Sequence, residues 1–212
     1  MDKLQKLGGV AALSEAAIYL LSLLFWYAIW DFPANSGAAE KFAYLSDNQV
    51  AFSVMNLIMY VVFGVVLAVL VMAVDERLKG ATPALSRAAS VFGFLWVGLV
   101  IASGMIVNIG LASAIELSVE NPDQALTVWR AIYAVVEGVG GGNEVVGGLW
   151  VLLLSCAALA GGGLSKALSI FGLLVGVAGV LTVYPAEILT EIFGLSQIVW
   201  FVWLGGVMLH KN

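Results

Sequence analysis

Six long apolar stretches, separated by short polar gaps, account for most of this chain. A helix needs about 20 apolar residues to cross the hydrocarbon core of a bilayer, and the stretches have roughly that length. They cover residues 9–30, 51–74, 88–115, 144–162, 164–184 and 194–209. Because 62% of the 212 residues are hydrophobic and 11% are charged, a water-soluble domain could not bury the apolar surface. The sequence therefore predicts an all-α, polytopic bundle of six transmembrane helices that forms one domain over residues 1–212.

Positively charged residues alternate between the two sides of this predicted bundle. Seven of the nine lie before the first stretch, in or beside alternate gaps, and at the end of the chain: Lys3, Lys6, Arg77, Lys79, Arg87, Lys166 and Lys211. The other gaps contain Lys41 and Arg130. Since the cytoplasmic loops of membrane proteins carry the excess of Lys and Arg, we expect both termini to lie in the cytoplasm.

The gap between the third and fourth stretches has a helical pattern of its own. Asn121-Pro122-Asp123 is typical of a helix start, and apolar residues recur at helical spacing from Gln124 to Glu137. The glycine-rich run 138–143 follows and interrupts the helix. We therefore expect an extra helix at about 124–137. It is either an amphipathic helix at the outer interface or part of a re-entrant hairpin.

A few polar side chains fall inside the predicted spans: Glu15, Asn56, Ser103, Asn108 and Gln197. An acid within a span usually faces the bundle interior and finds a partner, and Lys166 and Arg87 are the expected partners of Glu15. Glu15 is then either a proton, cation or lipid-headgroup site, or a shallow structural carboxylate. The amides and the serine either hydrogen-bond between helices or line a polar cavity.

Acidic residues gather on the side opposite to the basic gaps. The site candidates among them are Glu116, Glu137, Glu144, Glu187 and Glu191. Acids contribute little to membrane orientation, so this distribution can arise without a function. Alternatively, it forms a vestibule that attracts cations or a face that docks a basic partner.

Glycines recur in the fifth stretch, where Gly172 and Gly176 have the small-xxx-small spacing that lets two helices approach closely. This spacing indicates tight packing, either within the chain or between subunits.

Residues for metal or cofactor chemistry are scarce. His210 is the single histidine and Cys156 the single cysteine, so we expect no haem, no metal centre and no other cofactor. The net charge of −5 argues against nucleic-acid binding.

Several short patterns in the predicted spans occur together in a known family. They are Lys6, Gly8, Gly9, Ala11 and Ala12 at the first span, Asp47-Asn48-Gln49 before the second, Leu168-Ser169-Ile170-Phe171-Gly172 in the fifth, and Trp200, Trp203, Leu204 and Gly205 in the last. With these patterns the chain resembles a bacterial family of six-span inner-membrane proteins, the domain of unknown function 4386. The resemblance implies the fold and the bacterial inner membrane but no reaction. The Arg and Glu that members often carry in the third span are missing from 91–97.

These features predict a small integral membrane protein without a catalytic motif. They favour a non-enzyme over an enzyme. The leading hypothesis is an accessory or structural subunit that contacts membrane lipids and packs against a protein partner or copies of itself. The first alternative is a transporter or channel for a small solute or cation, which would use Glu15 and the acidic vestibule. The second is an enzyme that modifies lipids, with Glu137 or Glu144 as its acid or base.

Overall fold

A computed structural model describes residues 3–210 of the chain. Within that range the chain forms nine α-helices and no strand. The helices are α1 (Lys3–Leu24), α2 (Ala38–Asp47), α3 (Gln49–Asn56), α4 (Phe63–Leu78), α5 (Pro83–Ser118), α6 (Pro122–Val136), α7 (Val145–Gly161), α8 (Lys166–Leu181) and α9 (Glu187–Leu209). Three π-helical segments extend or join them: Phe25–Ile29 after α1, Leu57–Val62 between α3 and α4, and Glu137–Gly141 after α6. The prediction of an all-α protein is confirmed.

Five helical stretches in the described residues are long and apolar enough to cross a membrane. They are Lys3–Ile29, Gln49–Leu78, Pro83–Ser118, Pro122–Gly161 and Glu187–Leu209. The remaining predicted span, 164–184, corresponds to α8, which is apolar but shorter. Its 16 residues extend about 24 Å at the rise of an α-helix, against a hydrocarbon core of about 30 Å. The chain therefore has the composition and helix lengths of an integral membrane protein.

Both ends of the described chain lie at the same end of the bundle. Gly8 of α1 faces Ala73 of α4 and Met208 of α9 so closely that a Cβ atom would collide with both side chains. The start of α1, the end of α4 and the end of α9 therefore meet. The basic residues expected on one side lie at this end, apart from Lys211, which is outside the described residues. We call it the basic end.

The closest helix pair is α7 with α8, and glycines make this contact possible. A Cβ atom on Gly148 would lie 2.6 Å from the backbone nitrogen of Val180, and one on Gly176 would lie 2.7 Å from that of Leu152. Backbone therefore touches backbone, which a larger residue would prevent. The small-xxx-small spacing at Gly172 and Gly176 thus serves packing within the chain.

A second, smaller core lies at the opposite end of the bundle. Helix α5 has 36 residues and extends about 54 Å, so it is much longer than the hydrocarbon core. Its second half packs against α6, with Gly110 of α5 directly facing Ile132. Phe42 of α2 and Phe52 of α3 are buried in the same cluster. The sequence pattern did not indicate α2, but it placed the extra helix within two residues of α6.

Candidate functional site

Aromatic side chains form the centre of the larger core. Trp96, Trp150 and Trp200 are each at most 1% exposed. The ring centroids of Trp96 and Trp150 are 5.9 Å apart, and those of Trp150 and Trp200 are 5.8 Å apart. Glycines on the facing helices make room for these indoles, as Gly147 does for Trp96. Trp200 is therefore part of the packed core rather than of a pocket, whereas Trp203 is 39% exposed on the bundle surface.

The break between α6 and α7 is held by hydrogen bonds from two other helices. The backbone N–H of Glu144 donates to Thr182 Oγ1 over 2.8 Å. Thr182 Oγ1 in turn donates to the carbonyl of Gly179 over 2.7 Å. Thr190 of α9 donates to the carbonyl of Gly142 over 3.1 Å. These bonds hold the backbone of Glu144 immediately before the first turn of α7.

A groove of about 460 Å³ runs between α1 and α9 and ends at Glu144. We call it the lateral groove. Its apolar wall includes Tyr19, Leu23, Trp26, Met59, Phe193 and Leu195. Its polar groups belong to Ser22, Glu144, Thr190 and Glu191. An apolar concavity of this volume with a few convergent polar groups has the general form of a site for a small molecule.

A small cavity of about 80 Å³ lies behind the lateral groove and shares part of its lining. Tyr19, Ser22 and Glu144 line both spaces, so the two lie side by side. The other walls of the cavity include Tyr60, Phe63 and Trp96. We call this cavity the aromatic box. It has a volume of roughly two to three water molecules at about 30 Å³ each.

Oε2 of Glu144, in the wall of the aromatic box, lacks a hydrogen-bond partner among the described residues. The indole N–H of Trp96 faces the same carboxyl group. Glu144 is only 8% exposed, and Trp96 is 1% exposed. A buried polar atom without a partner costs stability, so a native protein that retains one requires an explanation. The box therefore holds an unused acceptor, Glu144 Oε2, beside a groove that reaches the surface.

Glu15 lies about halfway along the membrane-length stretch Lys3–Ile29 and is fully buried. Neither carboxyl oxygen has a hydrogen-bond partner in the described part of the chain. Lys166 and Arg87 are exposed and form no ion pair with Glu15, so the expected pairing is wrong. Glu15 lies about 18 Å along the helix from Lys3, the first residue of α1.

Glu15 shares one face of α1 with two residues of the groove. Tyr19 and Ser22 follow it at the i+4 and i+7 positions, which are neighbours on a helix surface. A line of polar groups therefore runs along α1 from the middle of the bundle to the lateral groove. An unpaired acid at this depth marks a candidate functional position, because an isolated charge there is costly.

The remaining intramembrane candidates have different roles. Asn56 donates to the carbonyl of Phe52 in its own helix over 2.8 Å. Ser103 donates to the carbonyl of Val136 over 3.3 Å, and Asn108 to that of Ser53 over 3.1 Å, so both connect neighbouring helices. The bonds of Ser103 and Asn108 therefore hold helices together, whereas that of Asn56 stays within α3. Gln197 of α9 is fully buried, and neither atom of its amide group has a partner within residues 3–210.

The outer glutamates do not form a single ring. Glu116, Glu187 and Glu191 are exposed and Glu137 is half-buried. Glu137 and Glu187 line an outer cavity of about 550 Å³, whereas Glu191 lies at the lateral groove and Glu116 lines neither space. The placement of Glu144 on an exposed acidic face is wrong, because the break before α7 turns inward and buries this residue.

Sequence reasoning missed most residues of the site, among them Tyr19, Ser22, Trp96 and Thr182. The spacing of Tyr19 and Ser22 from Glu15 was visible in the sequence and could have indicated a polar face on α1. No sequence signal could identify Trp96 or Thr182, because their positions near Glu144 arise from contacts between distant helices.

Within the described residues, no three His, Cys, Asp or Glu side chains gather into a group that could hold a metal ion. No known protein family, curated protein or solved structure matches this chain. The resemblance to the six-span bacterial family therefore stays a prediction, and the site has to be interpreted from its own geometry.

Proposed function

We propose that this chain is a six-span integral membrane protein that binds the apolar part of a lipid-like molecule in the lateral groove. In this proposal it is a non-enzymatic, lipid-contacting subunit of a membrane assembly. Both termini face the cytoplasm, and the membrane is the inner membrane of a bacterium, as the family resemblance implies. The observation that carries the proposal is the groove itself, with its apolar wall and the buried carboxyl group of Glu144 at its end.

The distribution of charge supports the six crossings and their orientation. Arg77, Lys79 and Lys166 lie at the basic end with the start of α1, whereas Lys41 and Arg130 lie at the other end. Helix α8 is short for a crossing, but it packs between α7 and α9. A bilayer can become locally thinner around a short span at modest cost.

The orientation is tested with single cysteines in a Cys156→Ala background. Ser36 lies in the loop before α2, and Ser165 lies in the loop before α8, at opposite ends of the bundle. In intact cells, a membrane-impermeant thiol reagent should label Ser36→Cys and not Ser165→Cys. Labelling of both cysteines, or of Ser165→Cys alone, would contradict the orientation.

The groove is tested with an alkyl chain that carries a photoactivatable diazirine, added to the purified protein in bilayers. Saturable labelling should concentrate on groove residues such as Leu23 and Met59. Gly194 lines the groove, and its Cβ position has only Tyr19 Cε1 within 4 Å, at 3.9 Å. Gly194→Leu should therefore fill the groove and reduce the labelling about tenfold without unfolding the protein.

Gly206→Leu is the matched control, since this glycine of the same helix has no atom within 4 Å of its Cβ position. Labelling in this variant should equal that of the wild type. If the probe labels groove residues and lipid-facing residues such as Leu174 equally, and does not saturate, the groove is not a binding site.

Transport is a second candidate function, and the position of Glu15 favours it. The polar line from Glu15 through Tyr19 and Ser22 leads from the middle of the membrane to the groove, as the path of a proton or cation would require. Reconstituted protein should then carry a proton or cation flux that Glu15→Gln abolishes. Glu76→Gln, at an exposed position of α4 near the basic end, should preserve it. An absence of flux in the wild type, or an equal flux in Glu15→Gln, would contradict this function.

A further inference from the structure

We propose that the ligand of the lateral groove is a cationic amphiphile whose ammonium group enters the aromatic box beside Glu144. This inference rests on the proposed function, because it assumes that the groove binds an apolar chain. It adds the chemical class of the ligand: a positive, nitrogen-based polar end on an alkyl or other apolar tail.

The sign of the charge follows from the residues that line the two spaces. The lining contains the carboxyl groups of Glu144 and Glu191 and the hydroxyl groups of Ser22 and Thr190, but no Lys, Arg or His. An anionic head group would face two acids and no cation. An ammonium group would instead give Glu144 Oε2 the partner that it lacks among the described residues, in a charge-assisted hydrogen bond.

The shape and chemistry of the aromatic box favour an ammonium group over a neutral donor. Tyr19, Tyr60, Phe63 and Trp96 surround the box, and aromatic faces attract cations, most strongly where water is excluded. Ring contacts hold these walls in place, because the centroid of Phe63 lies 5.5 Å from that of Tyr19 and 5.5 Å from that of Trp96. Aromatic side chains around a cavity are a common means by which proteins recognise ammonium groups, and here a carboxyl group lies beside them.

The lateral groove provides the matching space for the tail. It continues from Glu144 along Leu23 and Leu195 to Trp26 and Tyr27, and its volume is several times that of the box. At its mouth, the hydroxyl group of Tyr27 lies 3.5 Å from a carboxyl oxygen of Glu191. A second acid at the mouth would attract a cation from the membrane surface before it reaches Glu144.

The experiment compares decylamine, decanol and decanoate as competitors of the diazirine alkyl probe, at matched mole fractions in the bilayer. The three share one chain, so they separate the contribution of the tail from that of the charge. Decylamine should displace the probe at a concentration about tenfold lower than decanol, and decanoate should be the weakest. Glu144→Gln should remove the advantage of decylamine, and Tyr60→Leu should reduce it, while decanol still binds to both variants. Glu187→Gln should retain the wild-type order.

The outcomes separate the two proposals. Retained binding of decanol shows that a variant is folded and that its groove is intact. If decanol and decylamine compete equally in the wild type, the groove binds apolar chains but the cationic ligand is wrong. The same conclusion follows if Glu144→Gln keeps the preference for decylamine. If none of the three competes with the probe, the proposed function fails as well.

Discussion

Two helix pairs in this bundle contain facing glycines, yet one pair is closed and the other opens into a groove. Along α7 and α8, Gly148, Gly176 and Gly179 bring backbone against backbone over about one turn. Along α1 and α9, Gly9 and Gly205 do the same at the basic end, where a Cβ atom on Gly205 would lie 3.0 Å from the carbonyl oxygen of Gly9. Farther along, Gly194 faces open space, and the lateral groove begins.

The difference shows that a glycine alone does not determine how closely two helices pack. The residue opposite it matters equally. Gly148 meets another glycine-rich backbone, whereas Gly194 has the ring of Tyr19 as its nearest neighbour. The ring of Tyr19 lies between α1 and α9 and keeps the two helices apart on either side of it. The space that remains is a cavity unless another side chain fills it. The closed pair, α7 and α8, therefore stabilises the fold, and the open pair, α1 and α9, provides the candidate site.

The largest effect is expected from a leucine in the closed pair. In Gly176→Leu the new side chain would collide with the backbone nitrogen of Leu152, and backbone cannot move aside as a side chain can. We expect a loss of about 3 kcal/mol or more in the free energy of unfolding, measured by thermal denaturation in detergent micelles. The same leucine at Gly194, in the open pair, should change stability by less than about 0.5 kcal/mol. Similar stability of the two variants would remove the distinction between the pairs.

A smaller effect of opposite sign is expected at Glu15 on the open pair. Because this carboxyl group is buried and has no partner among the described residues, Glu15→Leu should raise the free energy of unfolding by about 1–3 kcal/mol. Glu187→Leu, at an exposed position, is the control and should not raise it. Denaturation of the purified variants measures both. A loss of stability in Glu15→Leu would show that the carboxyl group has an essential partner.

Thr182 connects the closed pair to the site, since it ends α8 and holds the backbone of Glu144. Thr182→Val keeps the side-chain shape but leaves the Glu144 N–H without its acceptor. We expect a loss of about 1–2 kcal/mol, together with weaker displacement of the alkyl probe by decylamine. Thr127→Val, whose hydroxyl group is exposed, should leave the competition unchanged. An unchanged preference for decylamine in Thr182→Val would mean that this bond does not position Glu144.

The smallest effect is expected outside both pairs, at the contact between α3 and α5. Asn108→Ala removes the hydrogen bond to the carbonyl of Ser53, and such bonds contribute about 0.6 kcal/mol in membrane bundles. The same denaturation assay should detect a loss of about this size, and the binding of the alkyl probe should not change. Altered probe binding would show that Asn108 acts on the groove.

The glycine-rich run illustrates how far sequence reasoning reached. Its composition predicted an interruption near 138–143, and the break between α6 and α7 lies there. The direction in which the break turns was not predictable, because hydrogen bonds from Thr182 and Thr190 decide it. Consequently Glu144 was expected on an exposed acidic face, although it is buried. Glu15 was identified as an intramembrane acid, but neither of its expected cationic partners forms an ion pair with it.

The sequence alone determined that this chain is helical and suited to a membrane, because the hydrocarbon interior requires long apolar helices whatever their neighbours are. The boundaries of α6 followed from local signals, Pro122 at its start and the glycine run after its end. Only the tertiary structure decided which glycines close a helix pair, which aromatic rings surround a cavity, and which acid enters it. These features depend on the register between helices that are far apart in the chain, and local composition carries little information about that register.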